Sequence, residues 1–403
     1  MLNSRTKPET ETKMCKIIDI LNRIRIVHLS YKALYILLVF GACLIGCQTQ
    51  EIKNNNDYVT VKIDESQFKD EFLLSENIKI HKVIRLETNS DCPIGNIDNL
   101  QYYNSKIYIL DRLKARSIFV FDSTGAFQNK VSRIGKGPGE FFRPTNFAFD
   151  GTTNKIYILD GNFRKVNIYD DSGAFEKAIQ IEFFASDLRI SQNGNINFSG
   201  RDSLQFYITD PNGQVIFKSL ENIRQFSHTL SNPLSQLGDE VLFIRNFDDT
   251  IYSVVNNKLS PKYFIDFGEN SITREDVLKQ NLPMNSFGFY DIKIPEKVMH
   301  SVRSANFNDE YLRFHFRHGK DNYLNIIKKK DSSLLTIKSS NISNDIFGGS
   351  MYTSRYMAED YFIGLINQSK LDENSLKELG NYIDVSGLDE YSNPILVFYS
   401  YDF

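Results

Sequence analysis

The chain has 403 residues, Lys+Arg 47, Asp+Glu 50 and a net charge of −3. That length allows two or three ordinary domains or one large repeat-built one. The near-neutral, slightly acidic balance argues against a nucleic-acid partner, which rewards dense Lys/Arg surfaces. With 31 Phe, 21 Tyr and no Trp, the composition leans towards strands and turns.

The first stretch reads as a leader. Arg5, Lys7, Lys13, Lys16, Arg23, Arg25 and Lys32 precede an apolar run of 14 residues, 33–46. This is too short to span a bilayer but suits the apolar region of a signal peptide. The run ends Leu44-Ile45-Gly46-Cys47, similar to a bacterial lipobox, which predicts cleavage before Cys47 and lipidation of its thiol. The basic region is long, so Met14 is an alternative start; Cys47 is the same either way. Loss of residues 1–46 leaves 40 basic and 47 acidic residues, a net charge near −7. It also leaves Cys92 as the one cysteine of the fold, so no internal disulfide is expected and Cys92 reads as a small buried hydrophobe. Residues 48–57 are polar and aperiodic, a flexible tether.

Beyond a strand at 79–87, the argument is carried by repetition. Lys106-Ile-Tyr-Ile-Leu-Asp111 recurs as Lys155-Ile-Tyr-Ile-Leu-Asp160, and the turn Gly125-Ala-Phe127 recurs as Gly173-Ala-Phe175. The Leu-Asp pairs are 49 residues apart and the turn glycines 48. Four short strands per unit at that period are the mark of propeller blades rather than a helical solenoid. A third unit covers Leu188–Lys218, with Gly213 in its turn; a fourth covers Val241–Phe267, a fifth Ser301–Ile337 and a sixth Ser354–Tyr399. Residues 269–300 break the rhythm and read as a rim insertion, with Thr273-Arg-Glu-Asp276 opening a helix. A second helix is expected at Glu373–Tyr382. Strand 79–87 lacks a neighbour in sequence, so it is assigned to the sixth unit, closing the ring and hiding both edges. The expectation is an all-β, six-bladed propeller of four-stranded antiparallel blades. Its domain plan is 1–46 signal peptide, 47–77 lipidated cysteine and tether, and 78–403 propeller.

The stretch Gly135–Phe175 resembles an NHL repeat, with spaced glycines, Phe-x-x-Pro, the Ile-Tyr-Ile-Leu-Asp strand and Val-x-Ile-Tyr-Asp-x-x-Gly. Units four to six lack the spaced glycines. The mature chain as a whole is similar to a family of six-bladed propeller lipoproteins of unknown function from Gram-negative anaerobes. Three features carry that similarity: Leu86-Glu-Thr88 with Cys92-Pro-Ile-Gly95, the joint Gly135-Lys-Gly-Pro-Gly-Glu140, and Asn393-Pro-Ile-Leu-Val-Phe398. The resemblance implies fold and an envelope location, not a reaction; the expected location is that of an outer-membrane lipoprotein, on its periplasmic or its surface face.

Candidate ligand positions follow from the repeat. In the joint, the N–H groups of Gly135, Gly137 and Gly139 with Lys136 and Arg143 could receive an anion, and Glu140 is a further candidate ligand position, but no Lys-Ser/Thr follows as in a P-loop, and an inter-blade crossover accounts for the same residues. Asp111 and Asp160 end equivalent strands, where they could face a ligand or bond their own turns. Arg112, Lys114, Arg116, Arg164 and Lys165 form the best basic patch, in equivalent turns of units one and two. His315 and His318, three apart on one strand, point to opposite faces and cannot share a metal. No catalytic residue, metal site or cofactor is assigned. The expected function is a lipid-anchored, non-catalytic binding or scaffolding module for a glycan, peptide or envelope protein. The rival reading is a Ca-type metal-assisted hydrolase or lyase with its site at the channel mouth.

Overall fold

The computed structural model describes residues 52–54, 58–222, 233–280, 292–366 and 368–403. The leader, its lipobox and Cys47 lie outside the described residues, as do residues 48–51 and 55–57 of the tether.

Six sheets form the blades of a propeller. Blade 1 has strands Asn99–Tyr103, Lys106–Asp111, Ser117–Asp122 and Phe127–Val131. Blade 2 repeats the scheme with Asn146–Asp150, Lys155–Asp160, Lys165–Asp170 and Phe175–Gln180. Blade 3 runs Ala185–Ile190, Ile196–Gly200, Leu204–Thr209 and Val215–Glu221. Blade 4 holds Leu234–Leu237, Glu240–Phe243, Thr250–Val255 and Lys258–Asp266. Blade 5 holds Met299–Phe307, Tyr311–His318, Asp321–Lys328 and Leu334–Lys338. Blade 6 takes Met351–Ala358, Tyr361–Ile366 and Ile395–Tyr401 from the end of the chain and Ile78–Arg85 from its beginning. The closing strand expected from sequence therefore pairs where it was assigned, antiparallel to Ile395–Tyr401.

The repeated Lys-Ile-Tyr-Ile-Leu-Asp strand is apolar through its Ile-Tyr-Ile-Leu core because both of its faces are covered. In blade 1, Ile107, Ile109, Phe119 and Phe121 pack with Ile84, Leu396 and Phe398 of blade 6. Tyr108, Leu110, Ile118 and Val120 pack the other way, on Phe147, Phe149, Ile156 and Ile158 of blade 2. Alternate side chains thus serve different interfaces, as the period of two requires. At about 1.5–3 kcal/mol for each fully buried large side chain, every blade depends on both neighbours.

Before the closing strand, the chain follows the outer edges of blades 4 and 5 and then the link from blade 5 to blade 6. Val59–Lys62 pairs parallel with Lys258–Asp266 of blade 4, Lys69 bridges Ile337 of blade 5, and Phe72–Leu73 pairs with Ile342–Ser343. Val61, Ile63, Phe72 and Leu74 are buried there. Both sequence-expected helices are present: Arg274–Leu278 with a Thr273/Asp276 capping box, and Glu373–Leu379 capped by Asp372. The inner strand of blade 4 lacks a sequence signature of its own, since Leu234-Ser-Gln-Leu237 is short and half polar.

Each inner strand runs between two faces of the disc. At the entry face the chain enters a blade, and the turns from second to third strand (111–117, 160–165) lie there. At the exit face the inner strand ends in its hairpin, as Tyr103 does opposite Lys106.

Candidate functional site

The aspartates that end the second strands organise the entry face. Asp111 is fully buried; its Oδ2 accepts from the N–H of Gly95 (2.8 Å) and Asn96 (3.2 Å), and its Oδ1 from that of Lys114 (2.9 Å). Asp160 Oδ2 accepts from the Phe142 N–H (2.8 Å), and Asp202 of blade 3 does the same for the Phe184 N–H (3.2 Å). In each case the carboxylate holds the segment that enters its own blade. Burial pushes the Asp160 carboxyl up, with the Phe142 N–H and Lys165 drawing it back.

The glycine joint is filled by its own side chain. Glu140 Oε2 accepts from the Gly137 N–H (2.9 Å), and its carboxylate occupies the space beside Gly135, where an added Cβ would lie 1.9 Å from Oε2. Lys165 Nζ (2.7 Å) and Asn167 Nδ2 (2.9 Å) donate to the Glu140 carbonyl, and the Tyr169 hydroxyl (2.9 Å) to that of Gly139. Gly139 has φ +69° and a Cβ there would meet Phe175 Cγ at 2.5 Å. Gly139→Ala is therefore expected to cost about 2–4 kcal/mol, combining a left-handed backbone with overpacking. Gly137→Ala meets only the flexible Glu140 carboxylate at 3.1 Å and should cost under about 1 kcal/mol. Urea midpoints of the two variants check the order.

The remaining sequence candidates share this face. Arg112 lies 3.6 Å from Asp98, Lys114 is exposed over Gly95, and Lys136 and Arg143 are exposed. Arg116 and Arg164 occupy equivalent left-handed turn positions, φ 48° and 50°. Beside them is a strip that the sequence reading overlooked. Phe142 (47% exposed), Phe163 (41%) and Phe184 (45%) stand out of the surface. Phe142 and Phe163 meet edge to face at 6.2 Å, and the Arg164 guanidinium lies 5.3 Å over Phe184. Phe142 and Phe184 are structural equivalents, each tied by its N–H to a strand-end aspartate.

The cavity is elsewhere. A channel space of about 290 Å³ is lined from all six inner strands. Its lining includes Gln101, Tyr103, Asp150, Gln192, Gln236 and Glu359, most of them towards the exit face. On its entry side a belt crosses four blades: Asn99 Nδ2 donates to Asn146 Oδ1 (2.7 Å), Asn146 Nδ2 to Asp187 Oδ1 (2.7 Å), and the Leu234 N–H to Asp187 Oδ2 (3.2 Å). Arg189 pairs with Asp187 (2.6 Å) and donates to the Leu234 carbonyl (2.7 Å). Asn99 and Asn146, 47 residues apart at equivalent strand starts, were the available sequence signal. Among the described residues, no three His, Cys, Asp or Glu side chains are grouped to hold a metal. His315 and His318 do face opposite sides: His315 is opposite Arg303, while His318 meets Phe68, Tyr323 and Glu65.

A family model, the domain of unknown function DUF4934, matches residues 58–400. The chain belongs to the DUF4934 family. None of the curated proteins matches this chain. Among solved structures, this DUF4934 protein is similar to one from Bacteroides fragilis described as exported, at 21% identity and a TM-score of 0.70, covering 85% of this chain and 99% of that one. A member of the DUF4221 family from Bacteroides vulgatus aligns at 9% identity and a TM-score of 0.47, over 81% and 99%. BamB of Moraxella catarrhalis aligns at 11% and 0.41, over 80% and 99%. The first of these establishes the shared fold. The family's sequence features also gain a physical meaning. Asn393 Nδ2 donates to the carbonyls of Glu87 (2.6 Å) and Cys92 (2.7 Å), and its Oδ1 accepts from the Ile94 N–H (2.9 Å). The Leu-Glu-Thr, Cys-Pro-Ile-Gly and Asn-Pro elements are thus one latch at the closure of the ring.

Proposed function

We propose that this DUF4934 protein is a lipid-anchored cell-envelope propeller that binds a peptide or protein partner on its entry face. The observation that carries this reading is the exposed strip Phe142–Phe163–Phe184. Burying a Phe is worth about 1.5–3 kcal/mol, yet equivalent positions of two successive blades both present one to solvent. Aromatic anchors with adjoining arginines are the usual core of an interface. Arg112, Lys114, Arg116, Lys136, Arg143 and Arg164 around the strip suit a partner segment with acidic flanks, while Asp111, Asp160 and Glu140 hold the loops that display it. Residues 1–46 act as signal peptide and 47–57 carry the lipid and tether; residues 58–77, expected as tether, pack on the blade edges and join 78–403 in the binding body with its insertion at 269–300. Cys47 anchors the chain to the outer membrane. The exported character of the Bacteroides fragilis protein of like fold agrees with this placement.

The test is photo-crosslinking in intact cells from a probe placed at Lys136, followed by membrane fractionation. One discrete crosslinked species is expected, reduced roughly tenfold or more by Phe142→Ser with Phe163→Ser at unchanged melting temperature. Cys47→Ala should move the protein out of the membrane fraction. Crosslinking indifferent to the double substitution would remove the strip as the interface, and membrane retention of Cys47→Ala would remove the anchor.

A further inference from the structure

The channel cavity has its own set of side chains, apart from the entry-face strip. At the exit mouth its lining comes from four separate hairpins: Tyr103 of blade 1, Thr152 of blade 2, Gln192 of blade 3 and Glu359 of blade 6. Deeper in the wall are Gln236 of blade 4 and Ser304 of blade 5. Tyr103 gives this mouth a flat apolar platform. Its ring packs on Phe149 at 5.0 Å, and Phe149 in turn stacks on the buried Tyr108 at 4.7 Å. The ring also passes so close over Gly151 that a Cβ there would lie 2.0 Å from Tyr103 Cζ. Tyr103 is therefore fixed in place, yet 39% of it stays exposed.

The polar lining divides into groups that the fold uses and groups that it leaves open. Gln101 is used: its Nε2 donates to the Phe147 carbonyl (2.9 Å) and its Oε1 accepts from the Phe149 N–H (3.0 Å), stitching blade 1 to blade 2. Asp150 is buried and holds its own hairpin, accepting from the Thr152 N–H (2.9 Å) and the Thr153 hydroxyl (2.5 Å). Gln236 Nε2 donates to the carbonyls of Ile190 (2.6 Å) and Gly238 (2.9 Å), which leaves its Oε1 free to accept. Among the described residues, the side chains of Thr152, Gln192, Ser304 and Glu359 make no hydrogen bond or ion pair. Gln236 Oε1 and Ser304 Oγ are open to solvent rather than sealed in the wall. Glu359 also takes left-handed backbone, φ 47°. A non-glycine residue is uncommon there, and such strain collects at positions that face a ligand.

The chemistry of the open groups selects the ligand. An anion would meet the carboxylates of Asp150 and Glu359, and the one cation of the lining, Arg189, is already paired with Asp187. An ammonium ion can only donate, so the amide and hydroxyl donors of Gln192, Thr152 and Ser304 would have nothing to bond. A ligand hydroxyl both donates and accepts, and so matches amides, hydroxyls and a carboxylate together. A sugar ring combines a rim of hydroxyls with a face of C–H groups that suits an exposed aromatic ring. The cavity of about 290 Å³ stands at the low end of the ~300–1,000 Å³ of ordinary ligand pockets, room for roughly one or two such rings.

We propose that the exit mouth of the channel binds a neutral saccharide of one or two rings. Tyr103 covers its apolar face, and Thr152, Gln192, Gln236, Ser304 and Glu359 bond its hydroxyls. This site is on the other face from the Phe142–Phe163–Phe184 strip and stands without it.

The test titrates the full-length protein, held in a detergent without a sugar headgroup, with a panel of neutral hexoses, N-acetylhexosamines and their disaccharides. Saturable heat in calorimetry is expected for at least one of them, with a matching rise in melting temperature. Tyr103→Ala should weaken that binding by roughly tenfold or more. Glu359→Gly is the sharper variant, because glycine takes left-handed backbone freely. Its melting temperature should hold or rise while sugar affinity falls roughly fivefold or more. Phe142→Ser on the entry face should leave sugar binding unchanged, so failure of this site and failure of the entry-face interface are read separately. Galacturonate and putrescine stand for the anionic and cationic alternatives; if either binds and no neutral sugar does, the proposal fails. It fails equally if no member of the panel binds, or if Tyr103→Ala and Glu359→Gly both keep full affinity.

Discussion

Asn393→Ala is expected to destabilise the protein by about 3–5 kcal/mol, an unusually large loss for one amide. The side chain is 2% exposed and satisfies the Glu87 and Cys92 carbonyls and the Ile94 N–H at once. Each buried backbone group left without a partner costs about 1–3 kcal/mol, and alanine cannot reach any of the three. The loss falls where the ring closes, because residues 87–94 follow the closing strand Ile78–Arg85 and Asn393 precedes its partner Ile395–Tyr401. Urea unfolding should show a lowered midpoint, and hydrogen exchange should accelerate first in residues 78–85. Asn374→Ala removes one exposed side-chain bond to Glu378 at 3.2 Å within a helix and should cost under about 0.5 kcal/mol. If the two variants lose equal stability, the latch does not hold the ring.

The second large effect is on the pH dependence of stability. Burial, with the charges of Asp248 and Asp266 added, pushes the Asp249 carboxyl up to about 8. In the unfolded chain it titrates near ~4. Between these values the folded state keeps a proton that the unfolded state has lost, so stability falls as pH rises from ~4 to about 8. His300 and His315 act in the opposite sense. Burial and neighbouring cations lower them to about 4 and about 3, against ~6.5 unfolded, so their contribution is full above ~6.5 and is lost as pH falls towards their folded values. Below ~6.5 the two histidines outweigh the one aspartate; above it the aspartate acts without them. Stability should therefore peak near ~6.5. Asp249→Asn should remove the alkaline decline and add about 2–5 kcal/mol at pH ~8. A series of urea midpoints against pH for the two proteins checks this, and parallel curves would contradict it.

The blade count, the repeated strands and the closure by residues 78–85 were legible because each rests on local chemistry repeated along the chain. Leu110-Asp111 and Leu159-Asp160 mark strand ends at nearly constant spacing, and Gly125, Gly173 and Gly213 all take positive φ in equivalent turns. The role of those aspartates was less legible, since a carboxylate bonding its own entry segment and one facing a ligand have the same sequence. Lys136, Glu140 and Arg143 likewise looked alike in sequence, and folding separated them: Glu140 turns inward to Gly137 while the two cations remain exposed. Leu234–Leu237 was missed because a short inner strand facing a channel need not be apolar.

The sequence by itself determined the architecture. Four apolar strands per ~48 residues, with glycine and aspartate at the turns, can bury their faces only against copies of themselves. The tertiary structure alone decided where chemistry can occur. The channel takes one strand from each blade, so its wall joins Asn99, Asn146 and Asp187 with Leu234, and its cavity adds Ser304 and Tyr356. Those residues lie tens to hundreds of positions apart, and no local pattern records their meeting. Arg303, Arg313, His315 and Arg317 likewise read as ordinary strand residues until two bulges and a shared face turned towards blade 6 bring their charges together. Strand period carries over from the sequence because sterics act between neighbours; convergence of charge does not, because it depends on which distant strands become adjacent.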